Sequence, residues 1–391
     1  MTNAVIVDAV RTPGGRRNGK LKDWHPVDLA AHALKALQER TGIDPAIVDD
    51  VVMGCVMQVG EQSLNIGRNA VLAAGWPETV PATTVDRQCG SSQQALHFAA
   101  QGVISGAYDV AVAAGVEVMT RTPMGSSVVK DMGFPFPQSM MDRYNSFLPP
   151  QGIGAEMIAD EYGLTREDLD AFGAESQQRA ARATAEGRFE REIIPTPYEI
   201  DGVTQMMTAD EGIREGTTAE SLAALKPAFK EDGKITAGNS SQISDGASAV
   251  LVMSEEKAAE LGLTPRARFH SFAVAGTDPV TMLKGPIPVT EKILAKSGLS
   301  IDDIDLFEVN EAFAPVVLAW AKTYGGDDVD KLLARTNVNG GAIALGHPLG
   351  CSGTKLMATL LNELERTGGR YGLQTMCEGG GLANATIIER I

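Results

Sequence analysis

Aromatic residues make up only 5% of this 391-residue chain, and cysteine occupies only four positions. Cys55, Cys89, Cys351 and Cys377 form no C-x-x-C pair, which excludes zinc ribbons and thioredoxin-like redox motifs and leaves no metal site in prospect. Cysteines so widely spaced in a long chain read as reduced thiols, so a cytoplasmic location is expected. Basic residues are in deficit too. The 34 Lys and Arg against 50 Asp and Glu give a net charge of −16, the wrong sign for general binding to nucleic acid. No uncharged apolar run reaches the roughly 18 residues of a membrane span. The longest candidates, such as Ala312 to Ala321, have the length of a core helix, so no membrane partner is expected. The opening segment carries Asp8 inside its apolar run and lacks a basic region ahead of a long apolar stretch, and no secretion signal is expected there.

What is present is a globular composition, with 43% hydrophobic and 21% charged residues, long enough for two domains or one doubled α/β unit. The 42 glycines point to close approaches of backbone to ligand or to backbone. Ala4 to Val10, Asp50 to Val56, Thr83 to Val85 and Asp109 to Val116 read as strands. Pro26 to Arg40 and Ser91 to Ile104 carry apolar stripes at helical spacing. Such alternation predicts a largely parallel sheet covered on both faces. The programme recurs late in the chain. Helix Ile287 to Leu299, strand Ile304 to Val309, the step Thr336 to Asn339, helix Ser352 to Glu365 and a strand pair at Gln374 to Met376 and Ala385 to Glu389 repeat the order of the first half. Between them, Arg121 to Thr236 holds GFPFP, LPPQG and IIPTP and a helix over Arg166 to Ala185, the texture of an inserted unit with substrate-covering loops.

Cys89 lies between a strand and the first turn of a helix, in DRQCGSS. Unpaired N–H groups and the positive helix end would lower its pKa, although a small buried cysteine at a helix start fits equally well. Of five histidines, His347 alone sits in a glycine-rich loop entering a helix, and it is preferred as a base for a thiol. His25, His32, His97 and His270 read as packing or surface residues. Cys377 ends a strand before three glycines, which either aim backbone N–H groups at something or form a β-turn. Asn310 and Glu311 follow a buried strand and either close a hydrogen-bond network or position a water.

These motifs together resemble the thiolase family: QCGSS at Cys89, NEAFA at Asn310, GGAIALGHPLG at His347, MCEGGG at Cys377 and TAGNSSQISDGAS from Thr236 to Ser248. The resemblance spans essentially the full length, with the motifs in order. It implies an α/β fold of two duplicated βαβαβαββ-type halves packed in layers with an inserted loop domain. The halves would be residues 1–120 with about 245–270, and 271–391, with 121–244 inserted. By the same resemblance Cys89 would be the acylated nucleophile, and His347 would activate it and later deprotonate CoA. Cys377 would exchange the α-proton of acetyl-CoA, and Asn310 would hold a water that, with His347, binds the enolate oxygen. The backbone N–H groups of Cys89 and Gly379 would form the other oxyanion hole. Arg214, Ser221, Ala237, Gly238 and Ser241 would contact CoA, a co-substrate rather than a resident cofactor. Homodimers or homotetramers are implied as well.

Three positions depart from the family pattern. Glu378 stands where a small or apolar residue is usual, and could raise the Cys377 pKa or turn away from the thiol by strand alternation. Asp86 stands where asparagine is more common. Leu148-Pro149-Pro150-Gln151-Gly152 replaces the His-Met-Gly of short-chain acetoacetyl-CoA thiolases. The expected activity is therefore that of a degradative 3-ketoacyl-CoA thiolase acting on fatty or sterol-derived acyl chains. An acetyl-CoA acetyltransferase is the neighbouring alternative, and a non-catalytic acyl-CoA carrier is the alternative of another class.

Overall fold

The computed structural model describes residues 2–391 apart from 130. Twelve strands alternate with thirteen α-helices among them. The first part runs β1 (Ala4–Arg11), β2 (Gly15–Arg16), α1 (Pro26–Thr41), β3 (Asp50–Gly54), α2 (Ile66–Ala73), β4 (Ala82–Val85), α3 (Ser91–Ser105) and β5 (Val110–Val118). There follow α4 (Gln138–Arg143), α5 (Gln151–Glu161), α6 (Arg166–Ala185), the hairpin β6 (Thr196–Ile200) and β7 (Val203–Met207), and α7 (Ala219–Ala223). The chain then returns through β8 (Ser244–Ser254), α8 (Glu255–Glu260), β9 (Ala267–Gly276), α9 (Pro286–Ser297), β10 (Leu306–Val309), α10 (Ala314–Gly325) and α11 (Val329–Ala334). It ends with α12 (Ala342–Leu345), α13 (Ser352–Thr367), β11 (Tyr371–Glu378) and β12 (Leu382–Arg390).

The duplication is legible in the pairing. One sheet path runs β4-β3-β5-β8-β1 and continues β9-β12-β11-β10, and the two stretches meet only through Val5 and Ile6 of β1 opposite Arg268 and Ala267 of β9. In the first stretch β4–β3 and β3–β5 are parallel, and β5–β8 and β8–β1 antiparallel. In the second, the Thr336–Phe307 bridge and β10–β11 are parallel, and β11–β12 and β12–β9 antiparallel. The types match position by position. The expectation of a largely parallel sheet is corrected to a mixed one. Alternation alone misses that β8 returns after a long excursion and that β12 returns through a three-residue glycine turn, both running antiparallel to the strand they join.

Strand β1 is buried at every position, as a sheet covered on both faces requires. Leu29, Leu34 and Leu37 of α1 and Ile66 and Val71 of α2 cover one outer face. Val289 and Ile293 of α9 and Trp320 of α10 cover the corresponding face of the second stretch. Between the layers lie α3 and α13, which pack Ala95, Leu96, Met357 and Leu361 into one core. They approach so closely that a Cβ on Gly353 would collide with the Gln93 backbone nitrogen. Thr354 N–H donates to Ser92 Oγ at 3.0 Å. This contact brings the N-terminal ends of the two central helices together, and the turn before each carries one expected reactive group.

Candidate active site

Cys89 occupies the turn between β4 and α3. Gln88 before it has φ +48°, a strained value for a residue with a side chain, held by Asp86 Oδ1 accepting from Gln88 N–H at 2.7 Å. Ser91 Oγ closes the turn from the other side, donating to Gln88 O at 2.6 Å and accepting from Arg87 N–H at 2.9 Å. The backbone N–H groups of Cys89 and Gly379 are directed at the Cys89 thiol and favour its anion. Burial, followed by the nearby Glu378 carboxyl, outweighs them and pushes the thiol up to about 12. The expected lowering by the helix end is therefore corrected: the resting thiol is neutral and needs a base.

His347 lies in the turn before α13. Its Nδ1 is 2.5 Å from Ser352 Oγ, and Ser352 O–H donates to Pro348 O at 2.8 Å. A hydroxyl has one proton, so the imidazole must donate from Nδ1. On the other side the Asn310 Nδ2 amide donor sits 3.4 Å from Nε2, which must then be the acceptor. Both constraints select one tautomer, with the basic lone pair on Nε2. Burial, with a smaller contribution from Lys355, lowers His347 to about 3, so the ring is neutral. Lys355 also fixes the loop by donating to the carbonyls of Leu345 at 2.5 Å and Gly346 at 3.2 Å.

Cys377 ends β11, fully buried, and burial raises its pKa well above the usual thiol value, with Cys89 the next influence and Glu378 after it. Gly379 opens the turn into β12; a Cβ there would lie 3.1 Å from Gln88 Oε1 and 3.3 Å from Gln151 Nε2. The three glycines thus make a β-turn, with Gly380 and Gly381 at φ +82° and +79°, and also aim the Gly379 N–H at the Cys89 thiol. Of the two readings of Asn310 and Glu311, the hydrogen-bond network holds for Glu311. Asn310 faces His347, whereas Glu311 closes a network with Ser176, Asn337 and the Ile343 N–H. Among the other histidines, His97 is a core residue held by Thr386 at 2.8 Å.

A cavity of about 700 Å³ has His347 in its wall, while Cys89, Cys377 and Asn310 lie behind its lining. Met119 and Leu349 of the wall pack in the same cluster as Cys89, and Ala312 and Phe313 in the same cluster as Cys377. Arg214, Ala237 and Ser241 also line it. Ser221 and Gly238 do not; Ser221 caps α7 through Thr218, and Gly238 backs onto Leu222 and Leu225. Gln151, Arg16 and Arg17 line the cavity and were not expected. The Arg16-Arg17 pair in a chain of net charge −16 was the available signal for the two arginines. Gln151 had only its place in the altered LPPQG step. Among the described residues, no cluster of His, Cys, Asp or Glu is arranged to hold a metal ion.

The thiolase N-terminal domain family matches residues 4–256, and the thiolase C-terminal domain family matches residues 263–390. The chain belongs to the thiolase family. A steroid 3-ketoacyl-CoA thiolase of Mycobacterium tuberculosis is 52% identical to this thiolase over its whole length, covering 95% of the relative. A 3-ketoacyl-CoA thiolase of Aliivibrio fischeri is 48% identical, with both chains covered in full. Among solved structures, human mitochondrial 3-ketoacyl-CoA thiolase superposes with a TM-score of 0.90 at 37% identity, and the acetyl-CoA acetyltransferase of Bacillus anthracis with 0.90 at 38%. Each match covers 100% of this chain and 99% of the solved one.

Proposed function

We propose that this thiolase cleaves 3-ketoacyl-CoA with CoA, releasing acetyl-CoA and a shortened acyl-CoA, in the degradation of fatty or sterol-derived acyl chains. The observation that carries this reading is a cavity walled by His347, with its lone pair on Nε2, and by residues of two apolar clusters that each hold a buried thiol, one of which has two N–H groups directed at it. In this reading His347 Nε2 takes the Cys89 proton as sulfur attacks the 3-keto carbon. The transfer is uphill between two groups that both prefer neutrality, so it proceeds only as negative charge passes to the carbonyl oxygen. There the N–H groups of Cys89 and Gly379 receive it. The C–C bond then breaks towards the acetyl-CoA enolate, which takes a proton from Cys377, while Asn310 and His347, with a water, hold the enolate oxygen. His347 passes its proton to Cys377 as acetyl-CoA leaves. CoA then enters, gives its proton to His347, and its sulfur displaces Cys89 from the acyl group, with Cys89 taking that proton back.

Arg214, Ser221, Ala237, Gly238 and Ser241 are the proposed CoA contacts, with segment 121–244 as the covering unit. Arg16 and Arg17 add positive charge beside Arg214 on the wall, suited to an anionic co-substrate. The unpaired edge of β4, near exposed Leu64, supports association of copies into a homodimer or homotetramer. Four free thiols suit the reducing cytoplasm as location. The test is thiolysis across a chain-length series with wild type and Cys89→Ala. Loss of turnover in the variant and best turnover on longer or ring-bearing substrates are expected. Retained thiolysis would overturn the mechanism, and best turnover on acetoacetyl-CoA would favour the acetyltransferase.

A further inference from the structure

Strand alternation sends Cys377 to one side of β11, among Ala312, Phe313 and Ile343, and Glu378 to the other, against the start of α3. Glu378 is fully buried, and neither carboxyl oxygen has a hydrogen-bond partner among the described residues. A Cβ built on Gly90 would collide with Glu378 Oε1 and lie 2.8 Å from Asn384 Nδ2. The carboxyl therefore rests on the backbone of the residue that follows Cys89. Asn384 donates to Gly90 O at 3.0 Å, yet its own Oδ1 is unpartnered, as is the buried Nε of Arg87 two residues before Cys89. A methionine would fill this space at no electrostatic cost, and a charged carboxylate without donors is the most expensive occupant of it.

We propose that Glu378 is a positioning residue whose protonation governs Cys89: the neutral carboxyl backs the nucleophile's turn, and its ionisation opposes formation of the Cys89 thiolate. This rests on the reading of Cys89 as nucleophile. The groups facing the carboxyl are Arg87 and Asp86 from the turn before α3, the Cys89 thiol there and the Cys377 thiol on β11. Strand β12 offers the uncharged Asn384 amide. Burial is the dominant influence on Glu378 and raises it to about 8, with Arg87 opposing and Asp86 adding. Reciprocally, Glu378 is the charge that raises Cys89 most. The two groups titrate as a linked pair.

The test compares wild type with Glu378→Gln and with Glu378→Met, which fills the site without hydrogen bonding. Iodoacetamide alkylation of Cys89 is followed by mass spectrometry from about pH 6 to about pH 9.5, because the rate tracks the thiolate fraction. At the acid end all three proteins carry a neutral side chain and should react alike. At the alkaline end each variant should react about three- to tenfold faster than wild type, as removal of one nearby charge predicts. The ratio should rise with a midpoint near the Glu378 value of about 8. A ratio that differs from one but stays flat with pH would overturn the proposal, because a purely structural role acts at every pH. Retained thiolysis by Cys89→Ala would instead overturn the assignment of Cys89, and the proposal with it.

Discussion

Replacing Ser352 with alanine removes the group that fixes the His347 tautomer. Ser352 Oγ lies 2.5 Å from Nδ1, donates its proton to Pro348 O, and both it and the imidazole are buried. Without it the Nδ1–H has no partner, and leaving a buried donor unsatisfied costs about 1–3 kcal/mol. The ring escapes that cost by moving its proton to Nε2, where it can no longer accept one from a thiol. Since His347 must be in the Nδ1–H form to act, the same cost falls on the barrier, and kcat should drop about 5- to 150-fold. KM for CoA should change little, because Ser352 does not line the cavity. The assay is steady-state thiolysis of a 3-ketoacyl-CoA, with thermal unfolding measured in parallel. A kcat within about twofold of wild type, alongside a lowered Tm, would refute the argument. It would show that the hydroxyl supports only the helix start and that the tautomer is fixed elsewhere.

Gly353→Ala forces a Cβ into the Gln93 backbone at the crossing of α3 and α13, so it should destabilise the fold by about 1–3 kcal/mol or more and lower activity with it, read by urea unfolding and thiolysis. Unchanged stability would mean that the two central helices are not in rigid contact. Asp210 is buried and paired with Arg11 at 2.7 Å; burial pushes its carboxyl up, but Arg11 and the Gly14 N–H outweigh burial and hold it below the usual range. Asp210→Asn should therefore cost up to about 3–5 kcal/mol near neutrality, because it breaks a buried pair and leaves Arg11 with Glu192 alone. A carboxylate with a depressed folded pKa contributes stability above its unfolded value and loses it as pH falls through the folded value. The gap between variant and wild type should thus hold above about pH 5 and narrow below about pH 4. A pH-independent gap in denaturant titrations would contradict this.

The helices were legible because their apolar stripes and caps are local. The spacing in PVDLAAHALKALQER followed by Gly42 gives α1 to within a residue, and Gly42 indeed closes it with φ +69°. Strand direction was not legible, because β8 pairs with β1 and β5 across more than a hundred residues and no local signal encodes that partnership. At the site, residue types and their glycine surroundings singled out Cys89, His347 and Cys377. The direction of the Cys89 pKa could not be read, because the helix end is visible in sequence while the burial and the Glu378 carboxyl that outweigh it arrive from β11. Glu378 itself stood out as a departure, and strand alternation was one of two readings for it. The packing against Gly90 selects that reading, yet leaves the carboxyl's charge still within reach of both thiols.

The duplicated pairing also explains how one fold holds unlike chemistry at equivalent places. Asp50 of β3 pairs with Ala111 of β5, and Leu306 of β10 with Gly372 of β11. Just before them Asp49 accepts from the N–H groups of Asp109 and Val110, and Asp305 from those of Arg370 and Tyr371, which fixes the equivalence. Counting six residues on from Ala111 and Gly372, Glu117 is the first-half counterpart of Glu378. The counterpart has become structural. Its carboxylate accepts from the N–H groups of Val56 at 2.9 Å, Met57 at 3.1 Å and Gly350 at 2.9 Å, and from Gln62 Nε2 at 2.7 Å. Gly350 lies three residues after His347 at the start of α13, as Gly90 lies one residue after Cys89 at the start of α3, so Glu117 anchors one turn through hydrogen bonds while Glu378 rests against the other without a partner among the described residues. The two halves thus place equivalent glutamates behind the turns at the N-terminal ends of α3 and α13, one with four N–H donors and one with none among the described residues.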